Sequence, residues 1–240
     1  MSKMISSKDE IVHPHGSNIS QVSRRKFLGY AGAVAGFAAV AAACNKDDDD
    51  DNDGVNLGSG DVGILNYAYA LEQLEAAFYE RVVSSFYSGA SDLEKEYLTD
   101  IRNHEVGHRE FFKAAITAAA PSQIIPALEV DFSSINFNDR TSVLGTAKAF
   151  EDLGVTAYNG AGQLLSTSGN GPTYLLLAGQ IVSVEARHAA LIADLISNGT
   201  FASYANSDPN GLDQARTPAQ VLDIAKSFIK TKINASNLPS

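Results

Sequence analysis

Four stretches of the chain place apolar residues alternately three and four apart, and each of these stripes is interrupted at the same depth by a glutamate. Such spacing predicts helices with one buried face, because positions i, i+3, i+4 and i+7 share a side of a 3.6-residue turn. The stripes run Leu65, Ala68, Glu72, Glu75, Tyr79, Val82; then Leu98, Ile101, Glu105, His108, Phe112, Ala115; then Leu144, Ala147, Glu151, Gly154, Tyr158, Ala161, Leu165; then Ala178, Ile181, Glu185, His188, Ile192, Leu195. The predicted helices cover 61–87, 91–119, 140–165 and 172–198, with a shorter fifth over 217–230. "SDLE" opens the second as a capping box, with Ser91 as N-cap and Glu94 three residues on. Pro172 fits the first turn of the fourth helix, and Thr217-Pro218 starts the fifth. The segment from Pro121 to Asp139, about 20 residues, is too long for a simple turn between neighbouring helices. No strand-like run competes. The expected fold is all-α: a four-helix bundle with one long crossover, plus a short C-terminal helix.

The polar interruptions repeat. Glu72 and Glu151 are each followed seven residues later by a tyrosine, Tyr79 and Tyr158, and Glu105 and Glu185 each three residues later by a histidine, His108 and His188. Glu72 to Glu105 is 33 residues and Glu151 to Glu185 is 34, so the chain is an internal duplication in pattern. Four carboxylates facing one core cannot all stay ionised without a counter-charge. Two divalent cations supply it. A Glu at i and a His at i+3 reach one inward point, so each pair can anchor one ion, while Glu72 and Glu151 bridge the ions or complete their shells. Glu75 lies on the first stripe where the third has Gly154; it reads as a seventh ligand, a proton relay just behind the ligands, or a rim residue, the last two being favoured. His104 points off its stripe and reads as a surface residue or one touching a ligand from outside.

The stretches "LEQLEAAFYERV", "NHEVGHREFFK", "FEDLGVTAYNGAG" and "VEARHAALIADL" resemble the ferritin-like superfamily, and within it the exported ferritin-like family that includes desiccation-related proteins. The resemblance covers residues 61–198 and implies a di-metal centre with Glu72, Glu105, His108, Glu151, Glu185 and His188 as ligands. It also implies that Tyr79 and Tyr158 hydrogen-bond ligand carboxylates; as candidate catalytic residues they would orient those groups or give a proton to bound peroxide. Oxygen and nitrogen donors without thiolate suit two iron or two manganese ions, though zinc is tolerated. No Cys-x-x-Cys iron site or dinucleotide fingerprint supplies electrons. Peroxide disproportionation or oxidation of ferrous iron, which need no such supply, are therefore the expected reactions, with peroxide, dioxygen and ferrous iron as small substrates. The competing class is a non-enzymatic structural or stress-protective bundle whose metal site is vestigial or purely stabilising.

Upstream, "SRRKFLG" followed by an apolar run and "AAAC" reads as a leader. It resembles a twin-arginine export signal, with Arg24 and Arg25 as the pair, and a lipoprotein cleavage box in which Cys44 is the lipidated residue and Ala41 stands where leucine is usual. The organisation expected is a cleaved signal over 1–43, a lipidated cysteine and acidic disordered tether over 44–60, the bundle over 61–198, and a C-terminal extension over 199–240. The expected partners are the twin-arginine machinery and a membrane reached through Cys44, with a periplasmic or cell-surface location. A lone cysteine forbids an internal disulfide, and a formal charge of −10 argues against nucleic acid.

Overall fold

The protein is described by a computed structural model over residues 54–203 and 207–240. The leader, Arg24, Arg25, Cys44 and the acidic run at 47–51 lie outside the described residues. Five helices are present among them: α1 (Gly60–Ser84), α2 (Asp92–Ala119), α3 (Arg140–Gly162), α4 (Gly171–Ile196) and α5 (Pro218–Ala225). α1 packs along α2 and α3 along α4; the two pairs join through α1 and α3, and more sparsely through α2 and α4. This is the expected four-helix bundle, with residues 120–139 as its long crossover.

Local chemistry sets the helix ends. The Ser91 hydroxyl accepts from the Glu94 backbone N–H while the Glu94 carboxylate accepts from the Ser91 N–H at 2.8 Å, closing the expected capping box. Thr217 and Gln220 form a second box at the start of α5. α5 ends at Ala225, short of the expected residue 230, because the chain turns there to bring Phe228 edge-on against Phe150 at 4.9 Å and Ile229 into a bridge with Val130. α1 stops at Ser84 rather than 87, and Tyr87 folds back into the core.

Two features depart from the sequence reading. Val55–Asn56 (β1) pairs in parallel with Ile233–Asn234 (β2), and Leu57 is fully buried. The described part of the segment expected to be a disordered tether is therefore fixed against the C-terminal extension, because Leu57 buries its side chain and β2 takes up the backbone hydrogen bonds. The second departure is that α1 is buried on nearly all sides through its middle. The crossover covers its outer face, and two buried amides hold it there. Asn66 donates from Nδ2 to the Leu57 and Gln123 carbonyls at 3.0 and 2.8 Å, and accepts from the Ile125 N–H. Gln73 accepts from the Leu128 N–H at 2.8 Å. On the opposite flank the C-terminal extension crosses α3 so closely that a Cβ on Gly160 would lie 1.8 Å from the Arg216 carbonyl oxygen; only glycine leaves room there.

Candidate metal centre

Each helix of the bundle contributes one fully buried glutamate at mid-height: Glu72 from α1, Glu105 from α2, Glu151 from α3 and Glu185 from α4. His108 and His188 join them one turn along α2 and α4. These residues form two overlapping groups, Glu72, Glu105, His108 and Glu185, and Glu105, Glu151, Glu185 and His188. Within each group the donor atoms lie within 4.8 Å of one another, as they must to hold an ion. All six residues expected as ligands are thus brought together.

The overlap reassigns the bridges. Glu105 turns Oε2 toward His108 Nδ1 at 3.4 Å and Oε1 toward His188 Nδ1 at 2.9 Å. Glu185 does the converse, with Oε1 at 2.9 Å from His108 and Oε2 at 3.5 Å from His188. Glu72 approaches only His108, at 3.5 Å, and Glu151 only His188, at 3.4 Å. The two shared carboxylates belong to the Glu-x-x-His helices. Of the two expectations for Glu72 and Glu151, completing a shell is met, since each lies in one group only, and bridging is not, since neither lies in both. The reason lies in what binds their other oxygen. Tyr79 donates to Glu151 Oε1 at 2.5 Å and Tyr158 donates to Glu72 Oε1, each tyrosine crossing between α1 and α3. One oxygen of each terminal carboxylate is committed to a phenol, so only Oε2 faces the centre.

What faces the centre is unsatisfied. Glu72 Oε2, both oxygens of Glu105, Glu151 Oε2, both oxygens of Glu185, His108 Nδ1 and His188 Nδ1 are buried without a hydrogen bond. His108 Nδ1 and His188 Nδ1 each lie 2.9 Å from a carboxylate oxygen, of Glu185 and Glu105 respectively, within ion-pair distance but without the alignment of a hydrogen bond. Native cores pair the large majority of buried side-chain polar atoms, so this many strays in one place indicates atoms converging on something other than each other. Three carboxylates and an imidazole per group, with no sulfur, fit a hard or borderline divalent cation such as iron or manganese.

The electrostatics of the metal-free cluster agree. Burial, then the Glu185 charge, raises Glu105 from 4.5 to about 8, and burial raises Glu151 to about 7. Burial would raise Glu185 also, but the two histidines overcome it and hold its carboxyl at about 2. Burial alone would lower both histidines; the carboxylates around them reverse this and hold both well above the ordinary imidazole value. Without metal the cluster is therefore neutralised by protons on imidazoles and carboxylates, and cations would displace them. Burial and the adjacent carboxylates push Tyr79 and Tyr158 well above the usual phenol value. They stay protonated and hold their acceptors.

Three neighbours complete the surroundings. His104 lies at the surface on the α2–α4 seam, its ring stacked on His188 and its Nδ1 2.9 Å from His188 Nε2, so it fixes the nitrogen of His188 that faces away from the centre. Glu75 is buried, and burial with four nearby carboxylates holds its pKa well above the usual range. It belongs to neither group, and its Oε1 sits 3.1 Å from where a Cβ on Gly154 would stand. The rim reading of Glu75 is therefore corrected: it is a buried acid filling the room Gly154 leaves. Of the six cluster residues His108 has the most exposed side chain, at 13%, so the centre comes closest to solvent there.

No curated protein matches the chain. Residues 60–198, spanning α1 through α4 and the crossover with all six cluster residues, match the family described as the ferritin-like domain. On that match, and on a bundle whose helices converge their carboxylates in this way, the chain belongs to the ferritin-like domain family.

Proposed function

We propose that the chain is an exported, membrane-tethered ferritin-like protein whose cluster holds two iron or two manganese ions and turns over peroxide or dioxygen. The observation that carries the reading is the set of buried, unpartnered donor atoms shared between two groups through Glu105 and Glu185. Glu72 with His108, and Glu151 with His188, would complete one shell each. The ions would supply one-electron steps between the +2 and +3 states. The chain's own residues do the rest. Tyr79 and Tyr158 hold the terminal carboxylates so that one oxygen of each faces inward. The apolar core excludes bulk water, and protons released from the histidines on loading leave by the side where His108 and His104 approach the surface.

Two overall reactions fit a centre without an electron-delivery module. Two peroxides yield dioxygen and two waters, or two ferrous ions give one electron each to an oxidant. The tests are metal content of protein purified from its export route, oxygen evolution from peroxide, and ferrous-oxidation kinetics. We expect two ions per chain and loss of whichever activity is found in His188→Ala. Activity that survives this change points to adventitious metal, and an inert protein with both ions bound favours a stabilising, stress-protective bundle. Export through the leader is tested by replacing Arg24 and Arg25 with lysine, which should leave uncleaved precursor in the cytoplasm.

A further inference from the structure

The helices do not share the donors of the cluster equally. α2 and α4 supply both histidines and both shared carboxylates, so the side between those two helices is crowded with donors. α1 and α3 supply one inward oxygen each, Oε2 of Glu72 and Oε2 of Glu151, because Tyr158 and Tyr79 hold the others. The side between α1 and α3 has the fewest donors, and one further acid stands there. Glu75 lies one turn along α1 from Glu72 and against Gly154, which lies one turn along α3 from Glu151. A Cβ on Gly154 would come within 3.1 Å of Glu75 Oε1 and 3.7 Å of Oε2. The charges of all four cluster glutamates act on Glu75, yet it belongs to neither donor group. It is buried, and its Oε2 has no partner. Beside it is a niche of about 10 Å³ walled by Leu71, Leu74, Phe150, Leu153 and Gly154, all of them buried, so Glu75 brings the only polar side chain in that wall.

We propose that Glu75 binds hydrogen peroxide at the centre, from the α1–α3 side. The assignment rests on the function proposed above and names its substrate. A polar atom enclosed without a partner costs about 1–3 kcal/mol, so the working protein has a partner for Oε2. The niche does not supply it. A water needs on the order of 10–15 Å³ and two or more polar groups, and the niche is at the lower limit of size with a single polar side chain in its wall. What the niche and Gly154 provide is room for the carboxyl group to turn. The partner therefore comes from the cluster side, where the donors are fewest. Polarity chooses between the two oxidants. Peroxide brings two O–H groups and several lone pairs, which need partners in a dry core. Dioxygen has no O–H and gains nothing from a carboxyl group. Glu75 accepts one O–H of peroxide and fixes which end of the molecule faces the cluster. The other half of the duplication has Gly154 at this position, so the centre has one such acid.

The test separates binding from turnover by loading the full chain with zinc, which has no redox chemistry. Hydrogen peroxide is titrated into zinc-loaded protein by calorimetry, and metal content is measured in the same samples. Glu75→Leu removes the hydrogen-bonding group, and Glu75→Gln restores an acceptor of the same shape. Gly154→Ala leaves the acid in place and pushes it aside, and serves where Glu75→Leu does not fold. We expect two ions per chain throughout. Peroxide affinity should fall severalfold in Glu75→Leu and in Gly154→Ala, with partial recovery in Glu75→Gln. In protein loaded with iron or manganese, the same changes should raise the KM for peroxide more than they lower kcat. Equal peroxide affinity in the unaltered protein and the variants, or no peroxide binding to unaltered zinc-loaded protein, overturns the inference. Fewer than two ions in Glu75→Gln makes Glu75 a ligand and overturns it as well. Weakened peroxide binding in the variants, with no turnover by unaltered protein loaded with iron or manganese, upholds the peroxide site and overturns the functional reading instead.

Discussion

Replacing Glu105 with glutamine should make the metal-free protein more stable and the metal-loaded protein less so. Both oxygens of Glu105 are buried without a hydrogen bond, and burial with the Glu185 charge beside it raises its pKa from 4.5 to about 8. A carboxyl group raised in this way adds stability at pH values below 4.5 and loses it as pH climbs through about 8. At pH 7 the unfolded chain is ionised at this position and must take up a proton to fold, which costs about 3 kcal/mol at 1.36 kcal/mol per pH unit. Glutamine removes that cost, and its amide finds acceptors in the neighbouring carboxylates. A gain of up to about 3 kcal/mol is worth roughly 10 °C in Tm for a chain of this size. Glu151, raised to about 7, and both raised histidines push in the same direction, so the unaltered metal-free protein should lose stability steadily from pH 5 to pH 8. With metal bound the sign reverses, because Glu105 belongs to both donor groups and its charge is then an asset. Calorimetry of both forms across that pH range decides the matter. A metal-free Glu105→Gln protein that is less stable at pH 7, or that shows the same pH slope as the unaltered protein, would refute the crowding argument.

Other changes separate the roles within the cluster. Glu72→Gln touches only the His108 group, so elemental analysis should find one ion per chain, whereas Glu185→Gln should lose both. His104→Ala frees the outward nitrogen of His188 and should weaken one of two binding steps by about tenfold in chelator competition, with His104→Gln recovering part of it. Tyr158→Phe leaves Glu72 Oε1 buried without its donor and should cost about 1–3 kcal/mol in denaturant unfolding of the metal-free protein.

The sequence carried the helices because their signals are local. A period of three and four, Ser91 with Glu94, and Pro172 ahead of an apolar run need no knowledge of the rest of the chain. It also carried the six cluster residues, since a glutamate and a histidine on an otherwise apolar stripe demand a partner wherever the helix is placed. What it could not carry is which carboxylate meets which histidine. Stripe spacing gives the face of each helix but not the rotation of one helix against the next, and the phenols of Tyr79 and Tyr158, which make Glu151 and Glu72 terminal, act across helices. The β1–β2 pairing joins two residues to two others near the far end of the chain and leaves no periodic trace. Asn66 and Gln73 were visible as amides in a strongly apolar helix; that was the available signal that the crossover covers the outer face of α1.

The six cluster residues obey the duplication, but their surroundings do not. Glu75 stands where the other half has Gly154, His104 where it has Val184, and alanines at 115, 161 and 178 where it has leucine or valine. Identical donors in identical surroundings would bind two ions with one affinity and offer two equal faces to a substrate. Here one histidine is braced from the surface by another imidazole, and among the described residues the other has no such brace. One end of the core is filled by large side chains and the other holds a cavity reaching Tyr158. Duplication therefore accounts for the presence of two positions, and the departures from it for any difference between them. Unequal metal affinities, abolished when His104 is replaced by the valine of the opposite half, are the direct consequence; two equal binding steps in the unaltered protein would show that the brace on His188 does not reach the metal.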